Sequence, residues 1–286
     1  MSYLEAVILG LVQGVFMFVP VSSTAHLVVT QHFMIAQGSA MPSPESPAMI
    51  LFDLVVHVGT LVSIAIVFRK SLSALLRAAL AETTARLTGA ENRLGAFSRL
   101  FLLGMLTVLV TGVLGLIFKT TFEKAFGAPQ VLVITLLVTA LLLFLTDRLP
   151  RRTLGIKSLG PRIAIVIGIA QALALIPGIS RSGITIIAGL FSGLKRRWAA
   201  EYSFLVAIPT ILSASLWQAR EVFAGAGLDG VGIGPMTVGF VVAAISGTIA
   251  LKLVLALLYR AQLKVFSAYL VLLATAIGFG VLDGII

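Results

Sequence analysis

The sequence predicts an all-α polytopic membrane protein: two inverted-topology repeats, with six transmembrane helices and two re-entrant helical hairpins. Three observations predict it. Only 11% of the 286 residues are charged, 59% are hydrophobic and the mean hydropathy is +1.10, whereas a soluble domain is about 25% charged. Several apolar stretches reach the roughly 18 residues needed to cross a hydrocarbon core about 30 Å thick. Landmark residues of the first half also recur in the same order in the second.

The first apolar segment, 3 to 35, is interrupted by VPVSST at 19 to 24. Proline and the hydroxyl run break a helix, so the segment is expected to enter the membrane and turn back. It ends in no small-residue cleavage site and is expected to stay in the mature protein. Spans follow near 50 to 68, 100 to 118 and 130 to 147. A second interrupted segment, 160 to 193, breaks at PGISRS (177 to 182), and three more spans lie near 200 to 217, 236 to 258 and 265 to 282. The segments that then share one face, 69 to 99, 148 to 162, 194 to 199 and 259 to 264, carry 16 of the 21 basic residues; the opposite loops hold Lys119, Lys124 and Arg220. The positive-inside bias puts the 16 in the cytoplasm, with both termini and the loop 36 to 49 outside. The formal charge of +10 is thus directed at anionic headgroups of the bilayer. No basic stripe with interleaved aromatics stands apart from the loops, so a nucleic-acid partner is not expected. The chain has no cysteine, which removes disulfides and thiolate metal sites.

Setting residues 9 to 24 over 167 to 182 pairs Gly10 with Gly168, Gln13 with Gln171 and Ser22 with Ser180, while Pro20 and Pro177 miss by one. Further on, 52 to 63 lies over 202 to 213, Gly104 and Gly112 over Gly239 and Gly247, and Asp147 over Asp283. The chain therefore reads as one membrane domain, 1–286, made of a first repeat (1–150) and a second, inverted repeat (151–286). Each has one hairpin and three spans, and an odd number of crossings inverts the second.

In such folds the broken helices meet near the midplane, and the start of each second half-helix attracts anions. Both breaks carry hydroxyls there: Ser22, Ser23 and Thr24 in the first, Ser180, Ser182 and Thr185 in the second. Arg181 sits among them. An arginine near the bilayer centre costs roughly 2.5 to 3.5 kcal/mol on insertion scales, so it calls for an anion or a water-filled cavity. Pairing with Asp53 as structural glue is the alternative; the guanidinium fork, the hydroxyls and the helix N-termini together favour a phosphate.

FVPVSSTAHL (18 to 27), PGISRSGIT (177 to 185) and FDLVVHVGTLVSIAIVF (52 to 68) closely resemble the motifs of the undecaprenyl-diphosphate phosphatase family, the bacitracin-resistance proteins. The likeness covers essentially the whole chain. It implies a multi-pass enzyme of the bacterial plasma membrane that removes the terminal phosphate of the C55 polyprenyl diphosphate, recycling the lipid carrier of peptidoglycan synthesis and countering bacitracin. It makes His26, Ser22, Ser23 and Arg181 the catalytic set. Thr24, Ser180, Ser182, Thr185, Gln13 and Asp53 become the substrate grip. On a helix His26 shares a face with Ser22 and Ser23, which suits a general acid, base or nucleophile. Asp53 and His57 also share a face, either as a structural pair or to orient the substrate. His32 is read as solvated. The implied partners are the polyprenyl diphosphate and the bilayer, and a homodimer is left open. The resemblance allows a divalent cation, Mg²⁺ or Ca²⁺, although no cofactor or protein metal site is evident in the sequence.

The chain departs from the family where its first motif usually carries two glutamates one helical turn apart; here those positions hold Gln13 and Met17. Ala25 replaces a glycine. Acidic groups at i and i+4 can share a cation or a proton; Gln13 can still coordinate weakly or donate a hydrogen bond, whereas Met17 does neither. Three readings therefore stand: hydrolysis through His26, a serine and Arg181; a homologue that binds or translocates the polyprenyl (di)phosphate without chemistry; and a small-anion carrier. A lipid substrate predicts a lateral opening lined by Phe16, Phe18 and Leu27. Other motifs are missing, including a phosphate loop, zinc spacing and a nucleophile elbow. Gly104, Gly112, Gly115, Gly239 and Gly247 are read as packing residues. Trp198, Trp217, Tyr202 and Tyr259 are read as interface anchors. Lys195, Arg196 and Arg197 are expected to be solvated, and Lys252 to snorkel.

Overall fold

A computed structural model of the chain describes residues 1–88, 95–118, 129–176, 178–225 and 231–279. Pro177, Lys119, Lys124 and Asp283 lie outside the described residues, as does the side chain of Thr24. The elements run α1 (Tyr3–Phe16), α2 (Ser23–Ala36), α3 (Pro47–Val67), α4 (Arg69–Leu87), α5 (Ala96–Ile117) and α6 (Pro129–Asp147). A 3₁₀ turn (Ile156–Ser158) leads to α7 (Pro161–Leu173), α8 (Arg181–Phe191), α9 (Arg196–Gly225), α10 (Ile233–Tyr259) and α11 (Lys264–Gly278). The described residues include no β-strand, only an isolated bridge between Leu154 and Leu194.

Among the described residues, four helices are long and apolar enough to cross a membrane: α3, α5, the Arg196–Arg220 part of α9, and α10. This chain is a membrane protein. The other two expected spans are shorter apolar segments, Val131–Asp147 in α6 and Lys264–Gly278 in α11, and at about 1.5 Å per residue the latter is ~22 Å long. They pack on each other, with the Ser267 hydroxyl donating to the Ala140 carbonyl at 2.7 Å. Both interrupted segments form two half-helices, α1/α2 and α7/α8.

Residues 69 to 99 are not the simple loop expected from their charge. Most of that stretch is helix α4, whose Glu82 carboxylate accepts from the backbone N–H groups of Phe97 (2.6 Å) and Ser98 (3.1 Å). The N-cap of α5 is Gly95, which has no side chain to offer, so the acidic group that its first N–H groups need comes from α4. Hydropathy is blind to a helix of this composition; the unbroken run of helix formers without glycine or proline was the available signal.

The halves interlock. α1 packs along α10, and α7 packs along α5. Lipid offers helices no hydrophobic drive to associate, so close approach through small residues is what holds them. A Cβ at Gly10 would lie 2.7 Å from the Gly239 carbonyl, and one at Gly14 would collide with Ser246 and Ala243. Across the other junction, Thr107 donates to the Ala164 carbonyl (3.0 Å) and Thr111 to that of Gly168 (3.1 Å). Gly239 and Gly247 are therefore packing residues as expected, whereas Gly112 faces open space and Gly104 has only Val206 at 3.9 Å. The reason is that α5 turns Thr107 and Thr111, not its glycines, toward α7.

Several residues sit elsewhere than expected. Tyr202 is no interface anchor: it is buried, and its hydroxyl donates to the Leu103 carbonyl at 2.9 Å. Phe18 and Leu27 belong to the buried core rather than to a lateral opening. Arg196 is not simply solvated, because its Nη2 donates to the Thr146 carbonyl (2.7 Å) and its Nη1 lies 3.7 Å from Asp147. Arg197 pairs with Glu201 at 2.7 Å and stacks over Trp198. Trp217, Tyr259, Lys195, Lys252 and His32 are exposed.

Candidate active site

The two breaks meet. Gly183, in the first turn of α8, lies so close to Pro20 that a Cβ there would come to 3.0 Å from the proline ring, and the Ser182 hydroxyl donates to the Phe18 carbonyl at 3.4 Å. Serine 180 is the N-cap of α8 and accepts from the Gly183 N–H at 3.3 Å. Arg181 is the first residue of that helix, where the dipole already presents positive charge. Its Nη1 is buried and has no hydrogen-bond partner. A guanidinium in that position is doubly short of negative charge. Asp53 does not supply it, since its Oδ1 accepts from Gln31 at 2.9 Å and the expected alternative pairing with Arg181 is not formed. His57 of α3 lies within range of the Arg181 charge. The His57 Nδ1 bonds to the Asp53 backbone carbonyl (2.7 Å) and not to its carboxylate.

On the first hairpin, Ser22 is the N-cap of α2 with φ +66° and ψ 87°, and its hydroxyl caps nothing. A left-handed non-glycine residue of this kind stores about 1 to 3 kcal/mol and is found where function demands it. The Ser22 carbonyl lies 2.8 Å from Nδ1 of His26. A carbonyl only accepts, so Nδ1 carries the proton and Nε2 has the free lone pair. That lone pair faces the hydroxyl of Tyr269 at 2.6 Å. Phe16 stacks on the other side, its ring centroid 4.0 Å from that of the imidazole. Tyr269, on α11, escaped the sequence reading: it is 243 residues away from its partner and lies in an unremarkable apolar span.

Met17 ends α1 with its thioether between two donors, Gln13 Nε2 at 3.6 Å and the Ser23 hydroxyl at 3.9 Å. Sulfur is a weak acceptor, so Ser23 has no real base beside it. Gln13 is fully buried behind Met17, and its Oε1 has no partner. In the second hairpin the aligned Gln171 is equally buried and donates to Thr111 and Thr210, both at 3.0 Å. Thr185 turns away from the junction, bonding the hydroxyl of Ser203 on α9 and carbonyls of its own helix. The structure thus sets the first break, through Phe18 and Pro20, against Ser182 and Gly183 of the second, beside Ser180 and Arg181, and turns Thr185 away toward Ser203.

A family model described as "Bacitracin resistance protein BacA" matches residues 6–276. The chain belongs to that family. It is 55% identical over 280 residues to a protein of Halorhodospira halophila named undecaprenyl-diphosphatase, covering 97% of each chain. A protein of the same name from Alkalilimnicola ehrlichii is 55% identical over 281 residues, covering 97% of this chain and 96% of its own. One from Carboxydothermus hydrogenoformans is 36% identical over 278 residues, with 97% of both chains covered. The match spans both hairpins, so the family's two motifs fall on the two breaks that the fold brings into contact.

Proposed function

We propose that the chain hydrolyses undecaprenyl diphosphate to the monophosphate and inorganic phosphate at the junction of the two hairpins, recycling the cell-wall lipid carrier and opposing bacitracin. The observation that carries the site is Arg181, a half-buried arginine at a helix N-terminus whose Nη1 is buried and has no hydrogen-bond partner. A diphosphate supplies the charge and acceptors that it lacks. The N–H groups at the starts of α2 and α8 and the Ser22 hydroxyl complete the grip. As an oxygen nucleophile bonds to the terminal phosphorus and the bridging P–O bond breaks, Nε2 of His26, released by Tyr269, takes the nucleophile's proton. The bridging oxygen leaves with the lipid monophosphate.

The donor set does not fit a cation held by the protein. Gln13 and Met17 occupy the positions of the acidic pair, Asp53 is engaged by Gln31, and no three His, Cys, Asp or Glu converge among the described residues. A Mg²⁺ or Ca²⁺ ion would have to arrive on the diphosphate itself. The reading places the protein in the bacterial plasma membrane with its termini outside, because the segments carrying the basic residues meet one another: Ser71 bonds Glu201 (3.0 Å), and the Lys264 N–H bonds Asp147 (2.8 Å).

The thioether at Met17 favours a second reading, a lipid binder or translocator that has lost its catalyst. Phosphate release from the polyprenyl diphosphate by the purified protein, with and without divalent cation, separates the two. We expect wild-type turnover that Arg181→Ala abolishes. Met17→Glu sets a carboxylate between Gln13 and Ser23 and should raise turnover by about 100-fold, the lower end of what a positioned base contributes. A silent wild type beside an active Gln13→Glu/Met17→Glu variant would transfer the assignment to binding or transport.

A further inference from the structure

A second polar site lies away from the hairpin junction. A cavity of about 470 Å³ opens between the segment after α6, the α8–α9 connection and the end of α10, lined by Arg151, Arg152, Lys195, Arg196, Leu190 and Tyr259, among others. Its walls are tied together: the Leu154 N–H donates to the Gly193 carbonyl (3.2 Å), and the Lys195 N–H to the Leu154 carbonyl (3.0 Å). Arg196 is held to α6 through the Thr146 carbonyl. Four cationic side chains thus share one wall-bound space, and the carboxylate beside them is Asp147, 3.7 Å from Arg196 and already accepting from the Lys264 N–H. A separation of 3.7 Å is too long for a hydrogen bond. Nε of Arg152 is buried without a hydrogen-bond partner, Nη1 of Arg196 and Oδ1 of Asp147 form an ion pair at 3.7 Å that makes no hydrogen bond, and Arg151, Arg152 and Lys195 form no ion pair among the described residues.

Cations held this close repel one another, and a buried donor left without a hydrogen bond is costly. Surface lysines and arginines relieve both penalties by swinging into water. Arg196, held to the Thr146 carbonyl, cannot fully do so, and Nε of Arg152 is buried. We propose that this cavity is a binding site for a phosphate-bearing anion, either the headgroup of an anionic lipid or a free phosphate ion, distinct from the hairpin junction and independent of the diphosphatase reading. The tetrahedral oxygens of a phosphate match the arginine forks, and basic pockets between helices at the cytoplasmic side suit anionic headgroups. Leu190 and the aromatic ring of Tyr259 leave an apolar wall for the stem of a lipid.

The test uses the full chain in detergent and compares Arg151→Gln/Arg152→Gln with Arg69→Gln/Arg77→Gln, which removes two exposed charges from α4 outside the cavity. Binding of inorganic phosphate is measured by calorimetry, and retention of phosphatidylglycerol against phosphatidylcholine by native mass spectrometry. The cavity variant should lose at least tenfold in affinity for one of the two probes while the α4 variant changes less than twofold. Lys195→Gln, an exposed single change, should shift the same probe in the same direction. Loss confined to phosphatidylglycerol identifies a headgroup, and loss confined to inorganic phosphate a free ion. Affinities unchanged by the cavity substitutions, or reduced as much by those in α4, overturn the proposal.

Discussion

The two hairpins align at Ser22 and Ser180 with their prolines one position out of step, and they solve the same turn differently. In the second, the left-handed backbone falls on Gly178 (φ +86°), and Ser180 sits in ordinary extended conformation with its hydroxyl capping α8. In the first, the left-handed residue is Ser22 itself, with its hydroxyl free and its carbonyl orienting His26. Glycine adopts such a backbone at no steric penalty, and serine does not. The second break is thus a relaxed turn whose hydroxyl caps α8 and beside which Nη1 of Arg181 has no hydrogen bond, while the first is a strained turn that leaves the Ser22 hydroxyl uncapped and holds His26 between the Ser22 carbonyl and Tyr269. Under the proposed function the difference corresponds to a division of labour, with charge recognition on the second hairpin and proton transfer on the first.

The hardest challenge to that division is Arg181→Ala. It should lower affinity for the diphosphate lipid on the order of 100-fold, as expected when two charge-assisted hydrogen bonds are lost; unchanged binding in a direct lipid-binding measurement would break the comparison at its centre. His26→Ala should instead spare binding and reduce turnover by about 10² to 10⁴. Tyr269→Phe, which leaves the ring and removes only the hydroxyl bonded to Nε2, should change turnover by about tenfold and shift its pH profile. If it changes neither, Tyr269 merely packs. The smallest effects sharpen the contrast between the caps. Ser180→Ala should destabilise the protein by about 1 kcal/mol through loss of the cap, whereas Ser22→Gly should stabilise it by a similar amount while lowering turnover. Equal thermal shifts of one sign would show that the two breaks are mechanically alike.

The four long spans were legible because a hydrocarbon core demands a run of apolar residues, which needs no knowledge of what lies beside it. The hairpin breaks were legible for the same local reason, through proline, glycine and hydroxyl residues. Helix α4 was passed over because it crosses nothing and so leaves no hydropathy trace. Tyr202 and Arg196 were misjudged because an aromatic or basic residue near a span end is placed by its neighbours: Thr107 and Leu103 receive one, Thr146 and Asp147 the other. The glutamine and methionine in the first motif were visible as a chemical departure. Their arrangement was not, since nothing local says that the sulfur would stand between Gln13 and Ser23.

By itself the sequence determined the solvent, the two broken segments and the family likeness, all properties of chemistry over short windows. Only the tertiary structure decided that Tyr269 holds His26, that Arg181 goes unpaired while Asp53 serves Gln31, and that the basic segments beside α6 and α9 enclose a cavity. Those outcomes depend on contacts between residues tens to hundreds of positions apart, and in a bilayer such contacts are selected by helix packing through small residues, a geometric fit that no single stretch of chain contains.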